Sequence, residues 1–132
     1  MFEQSLQAIG IYVGFNLLIN LFLAYRVSAG RLRSNIMSGT EGDDGLYNAS
    51  RAHTLNVEYV PLALIGLITL HILSAPIWLL HLVGIFLTLG RILSALGVSR
   101  SRESSPARLY GTLLTWVAQL IAALGCLFFV AT

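Results

Sequence analysis

The stretch YVPLALIGLITLHILSAPIWLLHLVGIFLTLG, residues 59–90, carries no Asp, Glu, Lys or Arg. It is interrupted once, at Ser74-Ala75-Pro76, where the proline suits the first turn of a new helix. The stretch therefore reads as two membrane helices joined by a tight turn, Tyr59–Ser74 and Ile77–Gly90. A helix needs about 20 residues to cross the hydrocarbon layer. Both must then continue outward, to about Ala49 and about Gly97, drawing Arg51, Glu58 and Arg91 into the spans.

Two further apolar stretches flank this pair, Leu6–Tyr25 and Leu109–Thr132, each long enough alone. The reading is an all-α, four-transmembrane-helix bundle forming a single integral-membrane domain over residues 1–132. Its spans fall at about 5–26, 49–74, 76–97 and 107–130. Residues 28–48, rich in Gly, Ser, Asn and Asp, read as a loop with Glu41, Asp43 and Asp44 at a solvated tip. Ser99–Pro106 reads as a second polar loop. The start, Met1-Phe2-Glu3-Gln4, has no positive n-region, so the first apolar stretch reads as a retained span rather than a signal peptide.

Composition agrees. Of 132 residues, 56% are apolar and 11% charged, against about a quarter charged in a soluble domain. The formal charge of +2 is too small for a nucleic-acid footprint. All eight basic residues are arginine. Arg26, Arg31, Arg33 and Arg51 border the loop after span one; Arg91, Arg100, Arg102 and Arg108 border the loop after span three. The other face has none, a strong positive-inside pattern. Both arginine-bearing loops are expected in the cytoplasm and both termini on the opposite side.

Charges inside spans are costly and usually face a protein interior or a polar cavity. Arg51 and Glu58 stand seven residues apart, about 700° of helical rotation and about 10 Å of rise. They share a face but are too far apart for a direct ion pair. Each needs another partner: a buried ion network between helices, or a zwitterionic ligand laid along the stripe. Arg91, also within a span, favours an electropositive pocket of several arginines near one carboxylate.

The remaining polar residues weigh less. His53, His71 and His81 lack metal-ligand spacing, and no metal is expected. The single Cys126 has no CxxC or disulfide partner and no nearby base. Asn16 and Asn20, at i and i+4, suit helix–helix hydrogen bonds. Tyr12 and Trp78 read as interfacial aromatics, and Trp116, Gln119 and Cys126 as packing positions.

The run Arg51-Ala52-His53-Thr54-Leu55-Asn56-Val57-Glu58-Tyr59-Val60-Pro61-Leu62 resembles the helix-two signature of the membrane-associated proteins in eicosanoid and glutathione metabolism (MAPEG). Gly90-Arg91 and Arg108-Leu109-Tyr110-Gly111-Thr112, followed by Thr115-Trp116, resemble the small bacterial members. The resemblance implies a homotrimer in a bacterial inner membrane, with glutathione as co-substrate bound between subunits near the cytoplasmic face. It assigns Arg51, Glu58 and Tyr59 to the glutathione backbone, and Arg31 or Arg26 to the glycyl carboxylate. Asn56, Arg91 and His53 complete the candidate contacts. Arg108, opening helix four, is the candidate for thiol activation, with Arg102 as the second choice.

Two positions depart from the family pattern. Leu55 stands where the family's Asn is usual, with Asn56 rotated 100° further on an ideal helix. Ser94-Ala95-Leu96-Gly97-Val98 has none of the tyrosines that eukaryotic members carry late in helix three. The expected function is a glutathione transferase or peroxidase acting on a lipophilic electrophile or hydroperoxide. The competing class is a non-catalytic membrane scaffold, or a protein that binds anionic lipid through its arginines. A transporter is disfavoured, because neither broken helices nor a repeated half is present.

Overall fold

The computed structural model describes residues 2–36, 39–40, 42–100 and 106–132. Four helices follow one another: α1 (Phe2–Ser34), α2 (Asp44–Ile72), α3 (Ile77–Arg100) and α4 (Pro106–Ala131). All four are long and apolar enough to cross a membrane. Two expected boundaries move. α1 continues past residue 26 to Ser34, and α2 starts at Asp44 rather than near 49. Much of the expected 28–48 loop is thus helical, and only residues 35–43 connect the two helices.

Local chemistry sets these ends. Arg31 and Arg33 occupy the last turn of α1, where cations complement the helix dipole. Asn35 then adopts a left-handed φ of 59°, and the Ile36 N–H returns to the Arg31 carbonyl at 3.1 Å, closing the helix as a Schellman-type cap. Asp43 caps α2, accepting from the Leu46 N–H at 2.9 Å and from the Ser34 hydroxyl at the end of α1. Glu41 and residues 101–105 lie outside the described residues, and with them the tip carboxylate and most of the second polar loop.

The turn between α2 and α3 forms where Ser74-Ala75-Pro76 predicts it. Ser74 takes a φ of 66°, and the Ala75 N–H bonds the Leu70 carbonyl at 3.0 Å. The Pro76 carbonyl then accepts from Leu79 at 3.0 Å, beginning α3.

α2 and α3 form the middle of the bundle. α1 packs on both of them, α4 packs on both from elsewhere, and among the described residues α1 and α4 do not touch. The main core joins Ile9 and Tyr12 of α1 to Leu67 and Leu70 of α2, Leu80, Val83 and Leu87 of α3, and Ala118 and Ala122 of α4. The closest approach is between α3 and α4. A Cβ at Gly90 would stand 2.8 Å from the Gly111 carbonyl oxygen, so glycine is required for the backbones to meet. Small residues at such seams replace the hydrophobic drive that lipid cannot supply.

Candidate functional site

The sequence-derived site is on α2, and the structure divides its residues between the outside and inside of the subunit. Glu58 stands midway along α2, fourteen residues from Asp44 and from Ile72, about 21 Å of rise from either end. It is exposed on the subunit surface. Arg51, two turns earlier on the same stripe, is half-buried. Among the described residues neither side chain has a hydrogen bond or ion pair. The expectation that Glu58 faces the interior therefore fails for the single subunit: its stripe points away from the four-helix core. Tyr59 and His53 beside it are half-buried.

Arg91 lies in the opposite direction. It is 2% exposed, and its guanidinium joins three helices. Nε donates to Thr115 Oγ1 of α4 at 3.1 Å. One terminal nitrogen donates to the Leu55 carbonyl of α2 at 3.4 Å, and the other is buried without a hydrogen-bond partner among the described residues. The cation stands 5.0 Å from the centre of the Tyr59 ring, a cation–π arrangement. The expected cluster of arginines around Glu58 thus lacks Arg91, which instead backs the inner face of Tyr59. Gln119 of α4 adds a 3.3 Å bond to the Tyr59 carbonyl. These bonds fix the α2 segment that bears Glu58.

Asn56 is 1% exposed and donates to Asn20 Oδ1 of α1 at 3.2 Å. The 100° step from Leu55 to Asn56 thus turns Asn56 off the Arg51–Glu58 stripe and toward α1. Asn16 bonds the Tyr12 carbonyl at 2.8 Å and Thr88 of α3 at 3.1 Å, so the asparagine pair joins helices as the spacing suggests.

Arg26, Arg31 and Arg33 sit in the C-terminal part of α1 and Arg108 in the first turn of α4. Arg31 donates to the Gly39 carbonyl at 2.8 Å. Arg26 is half-buried and lines two cavities. Arg108 is half-buried in the first turn of α4, against Gly97 of α3. Arg102 lies outside the described residues. Gly97 matters here, since a Cβ on it would come within 2.6 Å of the Arg108 backbone nitrogen.

Some readings need correction. Tyr12 is not an interfacial aromatic: it is 7% exposed, and its hydroxyl bonds His81 Nδ1 at 2.6 Å. Its ring fills the place a side chain at Gly84 would take, a pairing no sequence spacing signals. Trp116 is 53% exposed and, rather than packing in the core, lines a 540 Å³ groove between α2 and α4 with Gln119 and Cys126. Trp78 is exposed in the first turn of α3. Thr115, the partner of Arg91, is marked in the sequence only by the family-like pair Thr115-Trp116.

Residues 9–128 of the chain match the family model of the MAPEG family. The chain is similar to the inner membrane protein YecN of Escherichia coli strain K12, 28% identical over 123 residues, with 90% of this chain and 89% of YecN covered. YecN of Escherichia coli O6:H1 matches to the same degree.

Proposed function

The chain belongs to the MAPEG family, and from that premise we propose that it binds glutathione along the Arg51–Glu58 stripe and activates its thiol. The observation that carries this reading is Glu58, a carboxylate midway along a span-length helix, exposed and without a partner among the described residues of its own subunit. A charge in that position costs a few kcal/mol against lipid, so the stripe is covered by something polar. A neighbouring subunit that closes a ligand cleft supplies that cover. The family's homotrimer, in an inner membrane as for YecN, with the arginine-bearing loops cytoplasmic, meets the requirement.

Within the cleft, Glu58 takes the ammonium of glutathione. Arg51 takes a carboxylate in bidentate fashion. Tyr59, held from behind by Arg91, offers a fixed phenol beside them. Arg31 or Arg26 takes the second carboxylate, and Arg108 lies at the helix-four end of the cleft. A thiol of ordinary pKa about 8.5 ionises near neutral pH beside a fixed cation. The thiol proton passes to water. The thiolate sulfur then either bonds to a lipophilic electrophile and displaces its leaving group, or takes the distal oxygen of a hydroperoxide, breaking the O–O bond and releasing the alcohol. In both cases the developing charge is stabilised electrostatically.

The decisive test is the ultraviolet thiolate difference spectrum of the detergent-purified protein on adding glutathione near neutral pH, with Arg108→Ala in parallel. A thiolate band in the wild type that disappears in the variant supports activation by Arg108. Calorimetric binding without a band leaves a glutathione site that lacks activation. No binding at all overturns the reading.

A further inference from the structure

We propose that one face of α1 is a built-in site for an anionic phospholipid, off the Arg51–Glu58 stripe, which leaves the second carboxylate of glutathione to Arg31. Two cavities meet on that face. The first, 330 Å³, runs between α1 and α3 and is walled by apolar side chains, among them Phe15, Leu18, Phe22 and Ile92. The second, 180 Å³, lies where α1 meets the start of α2 and is lined by Tyr25, Arg26, Arg33 and the small residues Gly30, Gly45 and Ala49. Arg26 lines both.

Helical geometry makes this one continuous feature. Phe15, Phe22, Arg26 and Arg33 are separated by seven, four and seven residues. On an α-helix they fall within a sector about 40° wide. The face is therefore apolar over its membrane-buried part and cationic where α1 approaches its end. From Phe15 to Arg26 the rise is about 16 Å, close to half of the ~30 Å hydrocarbon core. That is the depth of one leaflet, and it matches an acyl chain whose headgroup ends at the arginines.

The chemistry at the wide end matches a phosphate diester. Arg26 and Arg33 bring two guanidinium groups to one small cavity beside Tyr25, and glycines and alanines make up the rest of its lining. Gly45, in the first turn of α2, adds the positive end of a helix dipole. Asp43, beside this pocket, accepts from the Ser34 hydroxyl and the Leu46 N–H and also feels the charge of Arg33. Apolar groove and cationic pocket joined through a shared arginine select an amphiphile with a negative head, not a neutral lipid or a free anion.

The test is native mass spectrometry of the protein released from mixed vesicles of phosphatidylglycerol and phosphatidylcholine. The wild type is expected to retain phosphatidylglycerol preferentially. Each juxtamembrane arginine contributes about 1 kcal/mol to attraction of an anionic surface, so Arg26→Ala or Arg33→Ala should weaken retention about fivefold and the double variant by more. Ile92→Trp, which fills the chain groove and leaves both arginines, should also release the lipid. Arg108→Ala removes the same charge from α4, outside both cavities, and should leave retention intact. Equal retention of the two lipids, or equal loss with Arg108→Ala, overturns the site as non-specific surface attraction. Competition by inorganic phosphate with no effect of Ile92→Trp also overturns it, because the pocket would then hold a headgroup without a chain. Unchanged elution and helicity of each variant exclude misfolding as the cause.

Discussion

Arg91 ties α3 to both α2 and α4. It is a buried cation whose partners, Thr115 Oγ1 and the Leu55 carbonyl, are both neutral. Replacing such a group by a well-packed apolar one is often neutral or stabilising, whereas removing its partner leaves a charge unsatisfied. Thr115 keeps its bond to the Gly111 carbonyl at 2.9 Å without the arginine. Arg91→Met should therefore cost little thermal stability. Thr115→Val strands the Nε–H of a charged donor and should cost about 1.5–3 kcal/mol. Thermal unfolding of both variants in detergent checks the order, and a larger loss for Arg91→Met would refute this account. The same Arg91→Met should weaken glutathione binding by leaving the Tyr59 ring without its backing cation, an effect calorimetry would register separately from stability.

Contacts between whole helices account for two further expectations. α3 and α4 meet backbone to backbone at Gly90 and Gly111, so any side chain there pushes the helices apart. Gly111→Val should lower the melting temperature sharply, by the 1–3 kcal/mol typical of overpacking or more, while Gly14→Ala, in open space, should not. At the other seam, Asp43 joins α1 to α2. The Ser34 hydroxyl, then the Leu46 N–H, hold its carboxyl below the ordinary value of 3.8, with Arg33 adding to the effect. A carboxyl whose pKa is depressed on folding stabilises the fold above its unfolded pKa and loses that contribution as pH falls through the folded one. Acidification below about 3.8 should thus loosen the α1–α2 end, and Asp43→Ala should remove this part of the pH dependence. Hydrogen exchange of the Leu46 and Tyr47 amides across that range is the direct readout.

At the scale of the molecule, the exposed Glu58 makes assembly and function separable. Among the described residues its carboxylate has no partner within the subunit, so the packing of the four helices does not draw on it. Glu58→Gln keeps the shape and removes the charge. The expected outcome is lost glutathione binding with the oligomer intact, read by calorimetry and by native mass; a trimer is the expected mass. Dissociation of the oligomer instead would make Glu58 a structural ion-pair partner between subunits and remove the ligand from the argument. The sequence by itself determined the four helices, the Ser74-Ala75-Pro76 turn, the gathering of arginines toward the connected ends and the shared face of Arg51 and Glu58. Each follows from length, hydropathy or the 3.6-residue period within one helix. The tertiary structure alone decided that Arg91 turns inward and Glu58 outward, that Asn56 meets Asn20, and that Tyr12 meets His81. The reason is physical. These helices are apolar nearly all round, and lipid is as apolar as leucine, so hydrophobicity does not say which face meets protein. Close approach at glycines and the pairing of a few polar groups choose the faces, and those choices exist only once helices distant in sequence are side by side.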